Sequence, residues 1–186
     1  MSFLRLLRLW YWLKNLLVLL PALWYDKIYL LWADGEYSLI WTWITFTLVS
    51  AGSYIFNDLA DVERDRRDPV RSRYKPLARG EVDKQTASFW FAALVVGGLY
   101  LAYHRIGPDV MTWEVAYVLL GVLYSLVLKR FGLIGLILVS LGAAFRVLAG
   151  AAAIYEPAPV WLWVAAAIAN VLLNVGIHRP GRHRKR

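Results

Sequence analysis

The chain has 186 residues, 60% of them hydrophobic, with 10 Trp and 11 Tyr, a composition too apolar and aromatic for an ordinary soluble domain. Its 21 Lys and Arg against 13 Asp and Glu give a net charge of +8, which in a membrane chain reports topology more often than nucleic-acid binding. The absence of Cys excludes disulfide frameworks and thiolate metal sites. Six apolar stretches then follow in order. The first runs from about Leu9 to Tyr25, with Lys14 near its start and Pro21 inside. It is short for a span of about 20 residues, and Arg5, Arg8 and Lys14 are placed to lengthen it by snorkelling. No small-residue cleavage site follows, so the segment is expected to be retained. Asp26 and Lys27 interrupt the pattern, and Ile28 to Ala33 is expected in the membrane interface. The second span is Tyr37 to Phe56, followed by a polar segment to Lys84. The remaining spans are Ala87 to Tyr103, Val110 to Leu128, Phe131 to Tyr155 and Val160 to Ile177. Turn residues separate them at Asp34-Gly35, Gly107-Pro108, and Pro157 with Pro159.

With the N-terminus on the cytoplasmic side, six spans also place residues 57–86, Lys129-Arg130 and the tail from His178 there. These regions hold all of the 21 basic residues except Lys27, Arg105 and Arg146, a strong positive-inside pattern. The expectation is a single all-α transmembrane domain over residues 1–186, multi-pass in a plasma membrane, with a cytoplasmic charged segment at 57–84 and a basic tail at 178–186. The tail Arg182 to Arg186 reads as a lipid-headgroup contact. Its His178 and His183 read as solvated, and five residues without a fold make a poor nucleic-acid footprint.

The stretch Asn57 to Pro76 concentrates the chemistry. Asn57, Asp61 and Asp65 repeat every four residues, and Asp58 lies seven before Asp65. On a helix this spacing puts all four on one face. Three carboxylates and an amide repel one another unless a cation sits on them, and such oxygen donors suit Mg²⁺, which commonly uses one or two carboxylates plus substrate phosphates. Arg66, Arg67, Arg71, Arg73 and Lys75 follow, placed to grip phosphate oxygens. The bland alternative is a solvated charged loop between helices; the helical spacing favours a metal–phosphate site.

Polar residues inside the spans carry the next signal. Arg146, deep in the fifth span, must face a cavity or a partner, since a lone membrane arginine costs about 3 kcal/mol or more. Gly142 and Gly150 flank it on one face and permit close approach of a helix or ligand. Structure and function are equally good reasons for such an arginine. Asn170 and Asn174 share a face and are expected to hydrogen-bond between helices, with ligand contact the lesser alternative. Lys14 and Asn15 are placed to reach a phosphate, with snorkelling the alternative for Lys14.

Asn57-Asp58-x-x-Asp61-x-x-x-Asp65 resembles the first motif of the UbiA superfamily of intramembrane prenyltransferases. The resemblance extends to Lys75-Pro76-Leu77-Ala78-Arg79-Gly80, to Tyr124-Ser125 with Leu128-Lys129, and to Phe145-Arg146 with Ala149-Gly150. Trp12-Leu13-Lys14-Asn15, and Asp65-Arg66-Arg67 followed by Pro69, look most like the branch that moves phosphoribose from phosphoribosyl pyrophosphate to decaprenyl phosphate. The resemblance implies a nine-helix fold of which these spans are the first two-thirds. It also implies Mg²⁺ on Asn57, Asp58, Asp61 and Asp65, with the three aspartates catalytic. Lys14, Asn15, Arg67, Arg71, Lys75, Lys129 and Arg146 would contact substrate. Implied partners are a polyprenyl phosphate or diphosphate, phosphoribosyl pyrophosphate and membrane lipid, with a homo-oligomer as a further expectation and no nucleic acid. Alternatives are prenyl transfer to an aromatic acceptor and a truncated, non-catalytic protein of the same fold. Two departures bear on the choice. The family's second acidic motif would begin at Gly135, and no carboxylate lies between Glu114 and Glu156. Position 68, often His or Asn in that branch, is Asp, and the segment between Pro69 and Pro76 is slightly long.

Overall fold

A computed structural model describes residues 9–32 and 37–177, and every regular element among them is helical. The first span is not a plain α-helix. Leu9–Leu19 winds as a 3-10 helix and passes directly into α1, Leu20–Trp24. Pro21 falls in the first turn of α1, where a missing N–H costs nothing. Winding explains how a short stretch suffices. Eleven residues at the 3-10 rise and five at the α rise reach about 30 Å, the thickness of the hydrocarbon layer, where an α-helix throughout would reach about 24 Å.

Helix α2, Ser38–Arg67, is the spine. Its 30 residues give a length of about 45 Å, well beyond the apolar layer. The helix therefore does not stop at Phe56, as hydropathy alone suggests, but continues as a charged rod to Arg67. Within the apolar part, the hydroxyls of Thr42, Thr45, Thr47 and Ser53 donate to carbonyls four residues back. Thr45 also reaches Glu114, and Thr47 accepts from Asn15, so these two hydroxyls tie the helix to its neighbours as well. Two short helices, α3 (Arg71–Tyr74) and α4 (Pro76–Arg79), fold back along the charged end of α2. Gly80 closes α4 with a left-handed φ of 73°, and Asp83 caps α5 through the Thr86 amide.

The remaining long helices are α5 (Lys84–Arg105), α6 (Pro108–Leu126), α7 (Leu133–Ala153) and α8 (Val160–Ile177). A 3-10 turn at Leu128–Phe131 joins α6 to α7. Helices α2, α5, α6 and α7 are long and apolar enough to cross a membrane, and Trp12–Trp24 and Val160–Asn174 are shorter apolar helices. The chain is thus an all-α integral membrane bundle, with large apolar side chains such as Phe89, Ile134 and Leu172 exposed.

Small residues set the helix spacing. A Cβ at Gly52 would come within 2.7 Å of Val95, and one at Gly98 within 2.8 Å of Val49, so α2 and α5 pack almost backbone to side chain. A Cβ at Gly150 would run into the Val18 carbonyl, so the first span lies directly on α7. The main core joins Val18, Phe46, Val49, Tyr117, Val118 and Ala149, and a second cluster joins Ile55, Val62, Leu77 and Ala87 beneath α4. Opposite the charged end, Lys27 pairs with Glu156 at 2.7 Å and the Tyr25 hydroxyl donates to the Pro157 carbonyl, tying the first span to the α7–α8 loop. Asp34-Gly35 and the tail from His178, with His183 and Arg182 to Arg186, lie outside the described residues.

Candidate active site

One large cavity, about 850 Å³, opens between α2, α6, α7, α8 and the first span. Along α2 it is lined by Ser53, Tyr54, Asn57, Asp61 and Arg64. Helical geometry explains this selection. At about 100° per residue, Arg64 and Asp61 lie within about 40° of Asn57, whereas Asp58 and Asp65 lie about 80–100° round the helix. The acidic face is therefore divided into two edges. Asn57 and Asp61 look into the cavity; Asp58 and Asp65, 2% and 1% exposed, turn toward the α3–α4 segment.

Each edge meets its own base. Lys75, which also lines the cavity, bridges the buried pair, with Nζ at 2.9 Å from Asp58 Oδ1 and 2.6 Å from Asp65 Oδ2. Asp61 accepts from Arg64 Nη2 at 2.7 Å and is paired on its other oxygen with Lys129, which the 3-10 turn after α6 brings over the site. Asn57 Oδ1 accepts the Ser125 hydroxyl at 3.2 Å. Three carboxylates thus face three bases at the mouth of the cavity.

The floor is different. Arg146, 4% exposed, donates from Nε to Asn15 Oδ1 at 2.7 Å, from Nη1 to the Gly142 carbonyl at 2.7 Å and from Nη2 to the Tyr117 hydroxyl at 3.2 Å. Its guanidinium lies over the Tyr117 and Phe46 rings. Asn15 is fully buried and donates to Thr47 and Ser50 on α2, so it supports Arg146 rather than lining the cavity. Lys14, Asn170 and Asn174 do line it; the bond between the two asparagines runs within α8, Asn174 Nδ2 to Asn170 Oδ1 at 3.3 Å, rather than between helices.

Of the other residues singled out from sequence, Arg67 is exposed at the end of α2 and does not line the cavity, and the Arg71 side chain lies outside the described residues. Arg64, Tyr54 and Tyr117 line the cavity without having been selected. The signal for Arg64 was present, since it stands three residues after Asp61 on the same face. Gly135 is buried, and a Cβ there would run into the Leu128 carbonyl oxygen and lie 2.8 Å from its carbon. This backbone has no room for a carboxylate at that position. For a divalent cation, Asn57 and Asp61 offer two hard oxygens to the cavity, and no three His, Cys, Asp or Glu among the described residues form a cage. That donor set fits Mg²⁺ completed by phosphate oxygens and water, and does not fit an all-protein site.

Residues 18–179 match the UbiA prenyltransferase family. The chain belongs to that family. This UbiA-family chain is 30% identical over 173 residues to the decaprenyl-phosphate phosphoribosyltransferase of Mycobacterium tuberculosis, covering 89% of this chain and 55% of the relative. The Mycolicibacterium smegmatis enzyme of the same name is 28% identical over 172 residues, at 89% and 52% coverage. The chain therefore spans about half the length of these curated relatives. A digeranylgeranylglyceryl phosphate synthase of Hyperthermus butylicus is 34% identical over 106 residues, 56% of this chain and 34% of the relative. A solved UbiA homologue from Archaeoglobus fulgidus, bound to GPP and Mg²⁺, superposes with a TM-score of 0.75 at 23% identity over 95% of this chain and 62% of that one, which supports the fold.

Proposed function

We propose that the cavity is an intramembrane transferase site that moves a phosphoribosyl group from phosphoribosyl pyrophosphate to a polyprenyl phosphate. The observation that carries this reading is the convergence of Asn57, Asp61, Arg64, Lys75 and Lys129 on a cavity that is also walled by Leu17, Leu120, Leu136 and Val139. A diphosphate needs the first group and a lipid chain needs the second. The names of the mycobacterial relatives point to the same pair of substrates.

Charge balance supports a metal. Asp58, Asp61 and Asp65 already neutralise Lys75, Lys129 and Arg64, so a diphosphate entering among these six residues finds no surplus positive charge. Asn57 and Asp61 would hold Mg²⁺, which when bound neutralises the diphosphate and makes it a better leaving group. Lys129 and Arg64 then exchange an Asp61 oxygen for diphosphate oxygens, and Lys75 holds the α3–α4 segment over the site. The C1–O bond to pyrophosphate breaks, and a bond from an acceptor phosphate oxygen to C1 forms. That oxygen is already anionic, so no general base is required; the residues position the reactants and stabilise charge. The proposed orientation places this mouth and both termini in the cytoplasm.

The test is transfer of labelled phosphoribose to farnesyl phosphate by the purified protein in liposomes. Mg²⁺-dependent product that disappears in Asp61→Asn is expected. Consumption of GPP with an aromatic acceptor would favour prenyl transfer instead, and no turnover with either donor would favour a non-catalytic protein of the same fold.

A further inference from the structure

The two ends of the cavity hold different kinds of charge. At the mouth every base faces an acid. At the floor, the partners of Arg146 are an amide, a backbone carbonyl, a phenol and aromatic rings, and no carboxylate pairs with it among the described residues. Lys14 lines the same cavity. A buried guanidinium held only by neutral partners in a poorly screened interior is stabilised by an anion that reaches it through the cavity. Asn170 lines the cavity too and adds an amide that can donate to an anion there.

The level of this group along α2 is fixed by contacts. Asn15, which holds Arg146, bonds to Thr47 and Ser50. Ser50 precedes Asp61 by about three turns, so the Asn15–Arg146 pair lies about 16 Å along the helix from the level of Asp61. A single diphosphate bound at the mouth does not cover both.

We propose that Lys14, Arg146 and Asn170 form a second anion subsite that takes a phosphate monoester, and on the transferase reading above this is the phosphate of the polyprenyl acceptor. Leu17, Leu120, Leu136 and Val139 in the same cavity offer apolar wall for the chain attached to that phosphate. The same chemistry is present in the 5-phosphate of the sugar donor, and the experiment separates the two sources.

Binding is measured by isothermal titration of the purified protein in phosphate-free detergent with farnesyl phosphate, farnesol, ribose 5-phosphate and Mg²⁺–pyrophosphate. Lys14→Gln and Asn170→Leu are used, because Arg146 is tied into the core. Each variant should weaken farnesyl phosphate about tenfold, the loss of one charge-assisted contact, while Mg²⁺–pyrophosphate affinity stays within about twofold and reports an intact fold. Asp61→Asn should do the reverse. Selective loss of ribose 5-phosphate would overturn the assignment to the lipid. Equal affinity for farnesol and farnesyl phosphate, or monoester binding untouched by both variants, would overturn the subsite. Absence of Mg²⁺–pyrophosphate binding in the unaltered protein, with Lys14-dependent farnesyl phosphate binding retained, would sink the transferase reading and leave the subsite standing.

Discussion

Gly135→Ala is a small change with a large expected effect. The added Cβ would lie 2.8 Å from the Leu128 carbonyl carbon and 3.4 Å from the Lys129 nitrogen, besides running into the Leu128 oxygen. Ordinary carbon contacts begin near 3.5 Å, so the 3-10 turn Leu128–Phe131 must retreat by about 0.7 Å or more. The obstacle is backbone, which cannot swing aside as a side chain can. Overpacking of this kind costs about 1–3 kcal/mol. The retreat also carries Lys129 away from Asp61, across the mouth where the diphosphate is proposed to bind. Loss of one oriented electrostatic group lowers rate by about 10²–10³. Gly135→Asp should be worse, so restoring the missing acidic motif at this position is expected to damage the site. The checks are thermal unfolding in detergent and Mg²⁺-dependent diphosphate affinity. A Gly135→Ala protein with unaltered unfolding temperature and unaltered affinity would refute the claim that this contact seats Lys129.

Three further outcomes follow from the same geometry. Lys75→Met leaves Asp58 and Asp65 facing each other without their shared base; removing one partner of a buried pair costs about 3 kcal/mol, and limited proteolysis should cut first in the released segment 69–80. Asp83 accepts the Thr86 amide at 2.8 Å, which holds its carboxyl below the usual carboxylate range. Its contribution is therefore complete above the unfolded value near pH 4 and disappears as pH falls through the lower folded value, so Asp83→Ala should lower the unfolding temperature at pH 7 and flatten its fall below about pH 4. Reporter fusions after Lys84 and after Ile177 should both read cytoplasmic; an external signal at either would reverse the proposed orientation.

The acidic helix face was legible because a four-residue repeat has one geometric meaning, and α8 begins and ends where hydropathy places it. The extension of α2 to Arg67 was legible only through that repeat, since hydropathy ends the span at Phe56. The helix step of about 100° already divides the acidic face into two edges; what the sequence could not show is which base meets each. Lys75 returns beside Asp58 and Asp65, and that return is set by the α3–α4 fold rather than by spacing. Lys129 reaches Asp61 from 68 residues away, and Arg146 reaches Asn15 from 131, pairings that no local pattern encodes. Arg146 was visible as an anomaly; its neutral partners were not. The 3-10 winding of Leu9–Leu19 was also hidden, although the shortness of the span called for some lengthening.

The most direct test of the account is titration of pyrophosphate into the purified protein with and without Mg²⁺, using the unaltered chain and Asp61→Asn. The account predicts binding that requires Mg²⁺ and is lost in the variant, because Asn57 and Asp61 are the oxygens turned into the cavity. Pyrophosphate affinity that is unchanged by removing Mg²⁺ or by Asp61→Asn would contradict it.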